Sequence, residues 1–113
     1  MKIQIKRVGG APISLDEFAA QHNLTMDVIE RNLADWQFVG ARYYAEFHGA
    51  EIKDGSCLVG ATGNANTPEE AIADYVNQIR GCLLVFNPGD PNRRREIQCP
   101  NEWADPAGRE LAK

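Results

Sequence analysis

Thr67-Pro68-Glu69-Glu70-Ala71-Ile72-Ala73-Asp74-Tyr75-Val76-Asn77-Gln78-Ile79-Arg80-Gly81 is the stretch on which the reading of this chain turns. Thr67 suits an N-cap, because its hydroxyl can accept a backbone N–H that the first helical turn leaves unpaired. Pro68 fits N1, and Glu70 completes a capping box. Glu69 and Glu70 also complement the positive end of the helix dipole. Ala71, Ile72, Tyr75, Val76 and Ile79 then form one apolar stripe at helical spacing, with Asp74, Asn77, Gln78 and Arg80 facing outward. Gly81 is a natural residue just past the end. The pattern predicts an amphipathic helix over residues 68–80, packed by its stripe on something apolar.

Strands supply that surface. Upstream, Tyr43, Ala45 and Phe47 alternate with Tyr44, Glu46 and His48. Lys53-Asp54-Gly55 reads as a hairpin turn, residues 57–61 return as a second strand, and residues 60–66 read as a small-residue loop into the helix. Downstream, residues 83–86 form a short apolar strand, residues 87–92 a turn-rich loop, and residues 96–99 an edge strand with Ile97 and Cys99 inward. At the N-terminal side, residues 2–8 alternate as a strand. Ser14 and Glu17 then make a second capping box opening a short helix over residues 15–22, closed by Asn23. Residues 24–35 fit either period: Met26, Ile29 and Leu33 would line a helix, whereas Leu24, Met26 and Val28 would alternate in a strand.

The fold class expected is therefore α+β: a mostly antiparallel sheet of four to six strands, with the capped helix on one face. Residues 1–100 read as a single domain and residues 101–113 as a polar, flexible tail. At 113 residues the length fits one domain. A net charge of -4 implies no general attraction to nucleic acid or anionic lipid. Three widely spaced cysteines, Cys57, Cys82 and Cys99, form no C-x-x-C pair and favour a reducing compartment. The beginning of the chain lacks the apolar core of a signal peptide, and no run reaches the ~18 apolar residues of a membrane helix. Cytoplasmic localisation, with no membrane partner, is the expectation.

Candidate functional motifs are few. A helix-turn-helix over residues 14–33 has suitable lengths, but its second helix would carry Asp27, Glu30 and Asp35 against Arg31 and would repel phosphates. His22, His48 and the cysteines lack metal-ligand spacing and read as ordinary histidines and buried thiols, so no metal or cofactor is expected. Glu46, Glu51 and Asp54 are explained by a polar strand face and a turn, and Gly60-x-x-Gly63 has no Lys for a phosphate loop. With no catalytic residues recognisable, the chain reads as a non-enzyme. The basic cluster Arg93-Arg94-Arg95 is the first choice for partner contact, with Trp36 and Trp103 next as exposed aromatics.

Two resemblances add to this reading. The order of elements over residues 43–86, ending in the Thr67-Pro68-Glu69-Glu70-Ala71 helix opening, resembles the HicB-like antitoxin domain. A longer resemblance is to a group of small, functionally unassigned bacteriophage and prophage proteins. Leu15-Asp16-Glu17-Phe18-Ala19, Tyr43-Tyr44-Ala45-Glu46-Phe47, Glu51-Ile52-Lys53-Asp54-Gly55, the segment from Thr67 to Tyr75 and Leu83-Leu84-Val85-Phe86 carry it. It favours a strand and loop over residues 24–35, and it implies phage origin. Small acidic phage proteins often antagonise host defence, so the function expected is binding and inhibition of a host protein complex, anti-CRISPR activity being one form. The alternative is a DNA-binding or antitoxin-like regulator using residues 14–33. A homodimer is compatible with either.

Overall fold

The computed structural model describes residues 12–32, 34 and 40–104. The strand expected over residues 2–8 lies outside the described residues. Helix α1 (Leu15–His22) opens on Ser14, whose hydroxyl accepts the Glu17 N–H at 3.1 Å. It ends at Asn23, held in the left-handed conformation at φ 55°. Helix α2 (Pro68–Ile79) opens on Thr67, which accepts the Glu70 N–H at 3.2 Å. The Glu70 carboxylate here takes the Thr67 hydroxyl proton (2.9 Å) rather than a backbone donor. Ala71, Tyr75, Val76 and Ile79 are buried, as their spacing requires.

Nine short strands complete the described chain: β1 (Ile13–Ser14), β2 (Met26–Glu30), β3 (Tyr43–Phe47), β4 (Ala50–Asp54), β5 (Cys57–Val59), β6 (Gly63–Ala65), β7 (Leu83–Phe86), β8 (Arg95–Gln98) and β9 (Trp103–Ala104). They pair as β2-β3-β6, as β5-β4-β7-β8 and as a small β1-β9 ribbon. Every ladder is antiparallel except β1-β9. The two larger sheets are halves of one bent hairpin. Ala45 pairs with Gly63 and Ile52 with Val59, so seven residues of one arm are spanned by four of the other. The excess is taken up around His48 and Gly49, where Gly49 adopts φ 76°. Such an insertion bends a strand sharply. Beyond the bend the free side of the arm changes neighbour, from β2 to β7.

Helix α2 lies across β6 and β3. It comes so close to β6 that a methyl group on Gly63 would overlap the Ala71 carbonyl oxygen and the Tyr75 backbone nitrogen. The core beneath it joins Ala45, Phe47, Leu84, Phe86, Ile97 and Cys99 to Leu15 and Phe18 of α1.

Four expectations change. Residues 26–30, which fit either period in sequence, form a strand, so the second helix of a helix-turn-helix is absent there. Five residues pair in register with β3, which gives their backbone groups partners that an isolated turn of helix would have to replace. Trp103 is not an exposed aromatic. It is 6% exposed, with its ring edge-on to Phe18 at 5.1 Å. The tail expected to be free from residue 101 is accordingly anchored at its start by β9, since burying a large ring outweighs the cost of ordering a few residues. The small-residue segment before α2 is a strand, β6, rather than a loop.

Candidate functional site

Alternation divides the residues of β2, β3 and β6 between two faces. Ala45, Phe47, Gly63 and Ala65 face the helix, while Asp27, Ile29, Tyr44, Glu46 and Asn64 share the opposite side. Among the described elements both helices lie elsewhere, and this face is open. Ile29, Tyr44 and Asn64 stand in register across the three strands, with Ile29 40% exposed and Tyr44 half-buried.

Arg31 organises one end of this row. Its guanidinium stacks over the Tyr44 ring, 4.7 Å from the centroid. It donates to the carbonyl oxygens of Ala41 (3.1 Å) and Tyr43 (3.3 Å), and to Asn64 Oδ1 (2.5 Å). A fork committed to three acceptors and a ring fixes the Tyr44 rotamer and has little donor capacity left for a phosphate. The other end carries Asp27, whose carboxylate lies 2.8 Å from His48 Nδ1. At the margin Arg42 pairs with Glu30 at 2.5 Å, and the hydrogen bond that the guanidinium donates to that carboxylate raises its pKa above the ordinary value. The result is a firm, charge-balanced surface with an aromatic and an aliphatic side chain near its centre.

The residues singled out from sequence do not converge. Arg93 is exposed in the turn after Asp90. Arg94 pairs with Glu96 at 2.7 Å and holds that carboxyl below its ordinary pKa. Arg95 turns back over the Phe86 ring, at 5.7 Å, and donates to the His22 carbonyl oxygen. Two of the three arginines thus tie the loop to the body. Trp103 is core, and Trp36 lies outside the described residues. No sequence motif marks Ile29, Tyr44 or Arg31; the one available signal is the alternation that puts the Tyr44 aromatic beside Glu46 and His48 on the polar side of its strand.

The cysteines also divide. Cys99 is buried, and burial pushes its thiol up to about 12. Cys82 is half-buried. Cys57, expected to be a buried thiol, is exposed because β5 lies at a sheet edge. Among the described residues no group of three or more His, Cys, Asp or Glu side chains is placed to hold a metal ion. No helix among them is long and apolar enough to cross a membrane. An open groove of about 520 Å³ runs between α1 and residues 98–101, lined in part by Phe18, His22, Gln98 and Asn101. Gln98 spends its amide on the carbonyl oxygens of Gly81, Cys82 and Cys99, which makes it a structural brace rather than a ligand.

No protein-family model, curated protein or solved structure matches this chain. Function must be argued from the surface itself.

Proposed function

We propose that this chain is a non-enzymatic, phage-derived protein that binds and inhibits a host macromolecular complex, such as a bacterial defence assembly, in the manner of an anti-CRISPR protein. The binding surface in this reading is the open face of β2, β3 and β6. The observation that carries it is the row Ile29, Tyr44 and Asn64, with Tyr44 pinned under Arg31. A pre-ordered aromatic beside an exposed aliphatic residue, rimmed by charges of both signs, is the composition that protein interfaces favour at their centres. Fixing the ring beforehand lowers the entropic cost of docking.

A protein partner is favoured over nucleic acid on two grounds. The face carries the carboxylates of Asp27 and Glu46, and Arg31, at one end of the row, is committed to neighbouring carbonyls. The chain as a whole is acidic, at -4, so a phosphate backbone gains nothing from the long-range field.

The test is affinity capture from lysates of defence-competent bacteria, with wild type and Ile29→Asp compared, followed by assay of the captured complex. The reading expects one defined complex, inhibited by the wild-type protein and neither captured nor inhibited by Ile29→Asp. Capture and inhibition unaffected by Ile29→Asp, or an active complex after capture, would overturn it.

A further inference from the structure

The four edges of the two larger sheets are not alike. Edge β2 carries Asp27 and Glu30, and edge β8 carries Arg95 and Glu96 beside Arg94. Charges of this kind keep a strand edge from pairing with another chain. At β6, side chains of α2 already occupy the backbone: the Asn64 N–H donates to Asp74 Oδ2 at 2.8 Å, and Gln78 donates to the Thr62 carbonyl oxygen at 2.7 Å. Among the described residues, edge β5 has neither protection. From Gly55 to Thr62 the sequence holds no charge and no proline, and Cys57, Leu58 and Val59 are all exposed.

The backbone of β5 is also presented outward. Asp54 and Cys57 close a two-residue turn, with Gly55 at φ 62°, and so form the hydrogen-bonded pair that ends such a hairpin. The next pair, Lys53 and Leu58, is then of the non-hydrogen-bonded kind. The N–H and C=O of Leu58 therefore point away from β4.

The geometry points to β5 as a homodimer interface, in which two copies of this chain join antiparallel through their β5 edges about a two-fold axis at Leu58. A second copy is the occupant that the charge pattern fits: a neutral strand meets itself with no like charge opposed, whereas β2 or β8 would not. In this register Leu58 meets Leu58 of the second copy on one face, between the two Lys53 side chains. On the other face Val59, 42% exposed beside Ile52, is covered by Cys57 of the second copy. The two β5-β4-β7-β8 sheets become one continuous eight-stranded sheet. An interface of a few residues a side is small, so association on the order of tens of micromolar is expected. The inference stands apart from the host-binding reading, because β5 is not among the strands of that face.

Analytical ultracentrifugation of the full chain over a concentration series tests it. Wild type is expected to shift from monomer to dimer, and Leu58→Lys, which opposes two lysines at the two-fold, to remain monomeric with an unchanged circular dichroism spectrum. Ile29→Lys should dimerise as wild type does. Register is read separately. In Val59→Cys, residues 57 and 59 of opposite copies form a close pair, roughly 4.5 Å between Cα atoms, within disulfide reach. Oxidised glutathione should therefore link Val59→Cys into covalent dimers that a further Cys57→Ser change abolishes. A wild type monomeric at millimolar concentration would overturn the inference. So would dimerisation that Leu58→Lys leaves intact.

Discussion

Replacing Gly63 by Ala tests the packing that holds the bent hairpin under α2. A methyl group there would overlap three atoms of the helix, and two of them, the Ala71 carbonyl oxygen and the Tyr75 nitrogen, are backbone. No rotamer change can move them. The helix must withdraw from β6 by roughly an ångström, which forfeits a large part of the dispersion contacts along that line. It also loosens Tyr75, Val76 and Ile79, all 1% exposed or less. Overpacking of this sort costs about 1–3 kcal/mol and occasionally more, and a clash with backbone belongs at the upper end. For a chain of this length ~3 kcal/mol lowers the melting temperature by about 12 °C. Gly60→Ala is the matched control. Nothing lies within 4 Å of its added methyl group, so it should fall within about 0.5 kcal/mol of wild type. Urea unfolding followed by tryptophan fluorescence measures both. Equal midpoints for the two variants would refute the close approach of α2 to β6.

Other consequences follow from the same contacts. Trp103→Ala should destabilise by about 3–5 kcal/mol, because it empties the space beside Phe18 and detaches β9; a surface tryptophan would cost almost nothing in the same urea titration. Thr67→Ala should cost about 1 kcal/mol through loss of the N-cap, with Thr67→Ser close to wild type. Burial raises the phenol of Tyr75 from 10.0 to about 12 and the thiol of Cys99 from 9.0 to about 12. Each holds its neutral form more tightly when folded, so their contribution is complete below pH 9 and is lost as pH rises towards 12. Tyr75→Phe should flatten that alkaline loss in urea midpoints measured from pH 8 to 11. With a thiol reagent at pH 8, Cys57 should react at once and Cys99 only on unfolding.

Helix α2 was legible from residues 67–81 alone because its caps, dipole and stripe are local and agree. The same holds for α1 and for β7 and β8. Residues 26–30 were ambiguous because Met26 fits a helical stripe with Ile29 and Leu33 as well as a strand alternation with Leu24 and Val28; pairing with β3, a contact remote in sequence, decides between them. Strand β6 was missed since Gly63-Asn64-Ala65 has no strand propensity, and its conformation follows from the helix pressed against it. Trp103 lay in a polar stretch, and nothing local signals its partner Ile13, ninety positions earlier. On the site, alternation did separate Tyr44 from Ala45, but it could not bring Arg31 over the ring or show that Arg95 folds back onto Phe86. Basic side chains in a run looked like a patch because sequence carries adjacency without direction.

The most direct test of the central claim is phage plating on a panel of defence-competent bacteria that express this chain. Ile29 and Tyr44 lie on the proposed host-binding face and Leu58 does not, so the decisive comparison is wild type against the double variant Ile29→Asp, Tyr44→Ala at equal cellular abundance. The account predicts that wild type restores plaques on at least one defence-competent strain and that the double variant does not. Restoration by the double variant equal to wild type would contradict it, as would failure of the wild type across the whole panel.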